Sequence, residues 1–474
     1  MTPPHTQALR GSNFAKPAVP AWPASSTAGP RPAFYLTMVF VFVVYGRVPE
    51  IMDMVTGAAV HSVRIIMLLG LLAALLFGGD IRAVFSKVGI CVIAFTLWMC
   101  VCIPFSIWRG GSFRMLRDFW ALSFLSFVII ASTVQGLEQC RKIMYTFAAA
   151  TIFIESITLI MGRVQGGRVA LLGGTLKNAN DLATMLLMGV PFCLFVIRTR
   201  PGQSLFKLAC VAMILFIPAT VATTGSRGGL ATLAVMFILY FLPLPVNQKV
   251  VVAVATLMLA VFAIAWSTRS ALDRYRTILG STSDQAQLSE SERSALDSSE
   301  LRKQLLLASL RLTLRHPLLG VGPGMFEVAN ADYTKETTGQ ASFNAWHETH
   351  NMFTQLSCEE GLPGLFLYGL ALVFCFKIVR SAEKRARLDP ALSLVRHMAF
   401  ALRLSLIAFT GTAIFASNAY MYYFPMLAAL CVILDRAVAA QISSHMPAGS
   451  EQPITAPQAA KAPAHHGGRW SAPR

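Results

Sequence analysis

Apolar runs close to the ~20 residues that a helix needs to cross a bilayer recur along this 474-residue chain. They lie near residues 34–46, 62–79, 88–107, 117–133, 143–161, 181–197, 205–223, 228–245, 249–266, 363–379, 399–417 and 420–438. Backbone in hydrocarbon has to satisfy its own hydrogen bonds, so uncharged runs of this length predict helices. The expectation is an all-α, polytopic integral membrane protein with about twelve transmembrane helices and one long external loop containing short helices. The first run is short and interrupted, which leaves eleven helices or a re-entrant entry open. With 55% hydrophobic and 13% charged residues and a mean hydropathy of +0.58, the chain is too apolar for a soluble globule.

Residues 1–32 and 441–474 are expected to be disordered cytoplasmic tails around a transmembrane domain at 33–440. The segment Met1–Arg31 is rich in Pro, Ser and Ala and lacks the apolar core of a signal peptide. Placing both termini inside puts Lys16, Lys87, Lys142, Lys207, Lys249, Lys377, Lys384 and Lys461 inside, against Lys177, Lys303 and Lys335 outside. This agrees with the positive-inside bias. The net charge of +17 is thus in part a topology signal, and nucleic-acid binding is not expected.

Arginine does not follow lysine. The same topology sets Arg47, Arg109, Arg114, Arg117, Arg163, Arg168, Arg227 and a group between Arg269 and Arg315 on the outer face. A planar, permanently charged fork suits phosphate or diphosphate, so the asymmetry points to an anionic substrate outside. The bland alternative is snorkelling to lipid headgroups or pairing with Asp53, Asp118 and Glu292. The nine cysteines lack metal-ligand spacing and read as small buried hydrophobes; no metal site or cofactor is expected.

Residues 267–349 form the large external loop. Its stretch from Gly280 to Glu300 is rich in Ser, Asp and Glu and reads as mobile, whereas Glu300 to Leu312 has helical spacing with Leu301, Leu305 and Leu312 on one face. Pro317 stops that helix, and Gly320, Gly322 and Gly324 make a tight loop. A second outer loop, Gly162 to Ala170, leads to Asn178, Asn180 and Asp181, of which Asn180 or Asp181 can cap the following helix.

Two polar islands stand at span ends. Thr224-Gly225-Ser226-Arg227-Gly228-Gly229 is a turn so short that Arg227 lies at the membrane edge, with glycines leaving room for close approach. His347-Glu348-Thr349-His350-Asn351 runs on to Glu359, Glu360 and Gly361. An ionisable group in hydrocarbon costs roughly 2.5 kcal/mol or more, so such groups mark protein-lined cavities. An imidazole, unlike a guanidinium, can act as a base at neutral pH.

In order and spacing, Asn178-x-Asn180-Asp181-Leu182-Ala183, Thr224 to Gly229, His316 to Gly324, and His350-Asn351 with Gly361 beyond resemble the O-antigen ligase and polymerase superfamily of integral membrane glycosyltransferases. The resemblance runs from about Arg163 to Pro363. It implies a multi-pass protein of the bacterial inner membrane whose site faces the periplasm. The implied reaction is a metal-independent, inverting transfer of a glycan from an undecaprenyl-diphosphate-linked donor to lipid A-core, to another lipid-linked glycan, or to a protein hydroxyl. His350 would be the base and Arg227 the essential cation; Arg168, Arg274 or Arg276, and Arg302 would hold the diphosphate. A repeat-unit polymerase shares this core. Three rivals remain: a lipid or solute transporter, a non-catalytic membrane scaffold, and a metal-dependent glycosyltransferase using Glu50 and Asp53.

Overall fold

The apolar runs form helices whose ends are set by polar caps and prolines, in a computed structural model that describes residues 32–57, 79–165, 168–171, 174–266, 290–338 and 346–445. Helices α1 (Pro32–Tyr45) and α2 (Val48–Thr56) meet at a bend of 56°. Then come α3 (Lys87–Cys102), α4 (Arg109–Thr133, with one π-helical turn at Leu116–Trp120) and α5 (Gly136–Met161). A short antiparallel hairpin of β1 (Arg163–Gln165) and β2 (Arg168–Ala170) follows, with Val164 opposite Val169. Four helices continue the chain: α6 (Ala179–Thr199), α7 (Leu205–Thr223), α8 (Arg227–Phe241) and α9 (Val246–Trp266). The large loop contributes α10 (Glu290–Arg315), α11 (Phe326–Thr338) and α12 (Met352–Glu359). Last come α13 (Gly361–Leu388), α14 (Ser393–Ala413) and α15 (Tyr423–His445).

The all-α membrane architecture is as expected, and the described residues hold fewer than the twelve expected spans. Among the described residues eight helices are long and apolar enough to cross, and nine if α1 and α2 form one bent span. The expected run at 62–79 lies almost wholly outside the described residues. The runs at 228–245 and 249–266 become α8, of 15 residues, and α9, Val246–Trp266. The last two spans also shift. The run at 399–417 begins instead at Ser393, because Asp389 caps a turn at Pro390–Leu392 and Arg403 is paired with Glu383 of α13 at 3.1 Å. Residues 414–422 are then free to form a turn.

The core is organised around α6 and α15. Helix α6 packs against α5, α7 and α14, and α15 against α4, α5, α13 and α14. Phe147 stacks on Phe192 at 5.0 Å, and Tyr368 and Phe409 lie against Phe424 at 4.8 and 5.8 Å. Ser405 Oγ donates to the Met188 carbonyl at 2.8 Å, a side-chain bond between helices in a setting without water. Glu155 of α5 is fully buried and accepts from Thr220 Oγ1 at 2.5 Å.

The external loop departs from expectation at its start. Helix α10 begins at Glu290, inside the stretch read as mobile, and residues 267–289 lie outside the described set. Leu301, Leu305 and Leu312 do share the packed face, against Val321, Phe326 and Cys358. The helix stops before Pro317, as the sequence predicts.

Candidate functional site

Turns from distant parts of the chain meet at one end of the bundle. They are the β1–β2 hairpin with the entry to α6, the Thr224–Ser226 turn, the loop from Trp346 to Asn351, the glycine loop at 320–324, and residues 414–422.

Arg168 ties the first two together. It donates from Nε to the Thr224 carbonyl and from Nη2 to Asn180 Oδ1, both at 2.8 Å. Two bonds in the guanidinium plane fix its orientation. Asn180 is therefore not the helix cap; Asn178 is, its Oδ1 accepting from the Asn180 amide at 3.0 Å. The turn that presents Arg227 is built in the same way. Ser226 Oγ accepts from the Gly229 amide at 3.2 Å and starts α8, with Arg227 as the first, half-buried helical residue. The clearance at Gly228 is filled by protein. A Cβ there would lie 2.4 Å from the Phe415 ring, so glycine lets the 414–422 turn press on the Arg227 turn.

The same 414–422 turn holds His350. Ser417 Oγ accepts from the His350 amide at 2.9 Å and is bonded to Thr349 Oγ1 at 3.0 Å. His350 is held in left-handed backbone, φ 51°, one of two non-glycine residues so found among those described. Asn351 then caps α12, its Oδ1 accepting from the amides of Phe353 and Thr354 at 2.9 and 3.1 Å. Burial, and then the positive charges of Arg302, His347 and Arg168, push the His350 imidazole down to about 4. The imidazole is thus neutral at pH 7, with the charges of Arg168 and Arg302 acting on it.

Of the expected site residues, then, Arg168, Arg302 and His350 share one electrostatic neighbourhood, and Arg227 adjoins it through Thr224 and Phe415. Arg274 and Arg276 lie outside the described residues. Glu50 is ion-paired with Arg47, whose Nη2 also donates to Tyr423 Oη at 2.9 Å.

Ser417 and Tyr420 escaped the sequence reading, which singled out Glu359 and Glu360 as part of the second polar island without their partners. Glu359 accepts from the amides of Gly324 and Phe326 at 3.0 and 3.1 Å and so clasps the end of the glycine loop. Gly320, at φ +67°, has no room for a Cβ against the Glu359 carbonyl, 2.3 Å away. Tyr420 Oη bonds the carboxyl groups of both Glu359 and Glu360. A phenol carries one proton, so the second bond needs a proton on a carboxyl group. Burial raises Glu360, and the neighbouring charge of Glu359 raises it further. Beside this cluster a cavity of about 130 Å³ is lined by Glu327, Glu348, Thr349, Gln355, Ser417 and Tyr420, among others. Thr349 and Ser417 belong both to its wall and to the His350 turn. No periodicity or motif marks Ser417 or Tyr420, since each acts across 60 or more residues of sequence.

Among curated proteins no match is found. A solved structure titled "Structural coordination of polymerization and crosslinking by a peptidoglycan synthase complex" aligns over 76% of this chain and 98% of that chain, at 15% identity and a TM-score of 0.37. A likeness that low bears on neither fold nor chemistry. The family described as O-Antigen ligase matches residues 208–369, a segment that contains Arg227, Arg302, the glycine loop and His350. Over residues 208–369 the chain is thus similar to the family described as O-Antigen ligase, in keeping with the resemblance its motifs carry.

Proposed function

We propose that this protein transfers a polysaccharide or oligosaccharide from an undecaprenyl-diphosphate-linked donor to an acceptor at the periplasmic face of the bacterial inner membrane, as an O-antigen ligase does. The observation that carries the reading is that one turn, 414–422, holds His350 through Ser417 and presses through Phe415 on the Arg227 turn, which Arg168 bonds at Thr224.

The chemistry follows from that arrangement. A sugar diphosphate is already activated, so the protein has to hold the departing negative charge and remove one proton. Arg227, Arg168 and Arg302 take the first task, and Arg274 or Arg276 adds to it. His350 takes the second: its neutral imidazole accepts the acceptor hydroxyl's proton as the oxygen attacks the anomeric carbon and the diphosphate leaves. One attack on the face opposite the leaving group inverts the anomeric centre. A bound diphosphate also offsets the positive charges that add to burial in lowering His350, so the donor itself raises the basicity of the base. The cavity sharing Thr349 and Ser417 offers hydroxyl, carboxamide and carboxylate groups suited to an acceptor's hydroxyls.

The test is an assay of purified protein with undecaprenyl-diphosphate-linked glycan, with and without lipid A-core, read by gel mobility of the glycolipids. Glycan on lipid A-core is the expected result. Longer lipid-linked chains without that acceptor would make the protein a repeat-unit polymerase. Full transfer by both His350→Ala and Arg227→Ala would overturn the mechanism.

A further inference from the structure

Helix α10 has two apolar faces, and only one is packed. Leu305 and Leu312 are buried under the glycine loop and α12, with Leu301 and Ala308 beside them. At ~100° per residue, Leu306, Leu307, Leu310 and Leu314 fall on the opposite side. There Leu307 is 52%, Leu310 44% and Leu314 82% exposed, and Leu318 beyond the helix is 68% exposed. A ridge of this kind on a water-soluble surface would be an unpaid cost at each leucine.

Charge and position say what covers it. Residues 301–318 contain four Lys and Arg and no Asp or Glu. Arg311 and Arg315 flank the ridge, their guanidinium groups held over the Tyr333 ring at 5.1 and 4.5 Å. The C-terminal end of the helix is also pinned at the level where spans end. The Leu362 amide, in the first turn of α13, donates to the Pro317 carbonyl at 2.8 Å, and the Ile107 amide, just past α3, to the Val321 carbonyl at 3.1 Å. Beside them Trp108 is half exposed and carries Arg114 over its ring at 4.5 Å, an aromatic and a cation suited to the headgroup level.

We infer that α10 lies in the outer boundary of the membrane, its leucine ridge seated among the acyl chains and Lys303, Arg311 and Arg315 on anionic phospholipid headgroups. Such a helix lies in the interface rather than across it. The inference is independent of glycan transfer, though it would fix Arg302 at the height where any lipid-linked diphosphate arrives.

Spin labels test it in the full-length protein, in nanodiscs of phosphatidylglycerol and phosphatidylcholine. Leu310→Cys, Leu314→Cys and, as an exposed polar control, Gln304→Cys are labelled singly in a Cys100→Ser background, Cys100 being the exposed one of the nine native cysteines. Collision with oxygen should exceed collision with a water-soluble nickel chelate at 310 and 314, with the reverse order at 304. Labels at 310 and 314 as open to nickel as 304, or closed to both reagents, would overturn the inference. In the second arm, Arg311→Gln with Arg315→Gln, or phosphatidylcholine alone, should shift both labels toward water. No shift in either would remove the anionic headgroups from it.

Discussion

The amide of His350 donates to Ser417 Oγ at 2.9 Å, joining the loop before α12 to the turn between α14 and α15. That bond holds a non-glycine residue in left-handed backbone, a conformation that costs of order 1–3 kcal/mol and persists only when its surroundings impose it. Ser417 is therefore a positioning residue for the imidazole.

Replacing Ser417 by alanine removes a hydrogen bond worth about 1 kcal/mol and loosens the turn. The rate of transfer at saturating donor should fall by about five- to tenfold, the equivalent of that energy, with donor binding retained. Ser417→Thr keeps the hydroxyl and should restore most of the rate. Equal losses in the two variants would mean a packing role only.

The depressed His350 makes a prediction about pH. An imidazole pushed down to about 4 stays neutral, and competent as a base, well below its ordinary range. The acid limb of kcat/KM, which reports the free enzyme, should fall near pH 4 rather than near about 6.5. His350→Ala should lose about 10²–10⁴-fold in transfer, the usual worth of a general base, while still binding donor.

Arg168 should not tolerate lysine. Its two bonds at 2.8 Å, to the Thr224 carbonyl and Asn180, use the guanidinium fork to tie the hairpin to the Arg227 turn, and an ammonium cannot span both. Arg168→Lys keeps the charge, so a drop in donor affinity close to that of Arg168→Ala, measured with the labelled lipid diphosphate, would show that geometry matters. Wild-type affinity in the lysine variant would reduce its role to charge.

Gly228 and Phe415 form a pair that mutants can separate. A Cβ on residue 228 meets the Phe415 side chain at 2.4–2.7 Å, so Gly228→Val should destabilise the protein by roughly 1–3 kcal/mol, as overpacking does. Adding Phe415→Gly, which removes the Cβ at 2.7 Å as well as the ring, should return much of the thermal stability in detergent. No recovery in the double variant would place the strain elsewhere.

The Glu359, Tyr420 and Glu360 cluster links stability to pH. Glu360 is raised in the folded protein, so the folded state holds a proton that the unfolded state releases near about pH 4.3. Folded protein then binds more protons than unfolded protein, and stability falls as pH rises from there toward the raised value. Glu360→Gln cannot ionise, so its melting temperature should depend less on pH between about 5 and 8 than the wild type's.

Sequence alone determined the class and drew attention to residues of the candidate site. Span-length apolar runs leave a chain no alternative to membrane helices, because unpaired backbone has no partner in hydrocarbon. Pro317 stopped α10 where the pattern said it would, since a proline disfavours helix in the residue before it. The guanidinium asymmetry and the isolated His350 stood out for the same reason: polar groups at the edge of apolar spans are costly unless used.

Tertiary structure alone decided how these residues are held. Hydropathy does not tell a crossing helix from a shorter one, so α8 read as a span like the rest, and the interrupted first run left open what the 56° bend between α1 and α2 now describes. Asn180 and Asn178 are equally good caps by residue type, and only the approach of Arg168 assigns one to the cap and the other to the guanidinium. The glycine at 228 was legible as space, but not that Phe415 fills it. Ser417 and Tyr420 left no local signal, and Glu359 was legible only as part of a polar island, because each works through a bond to a segment far along the chain, and such bonds exist only once the helices have packed.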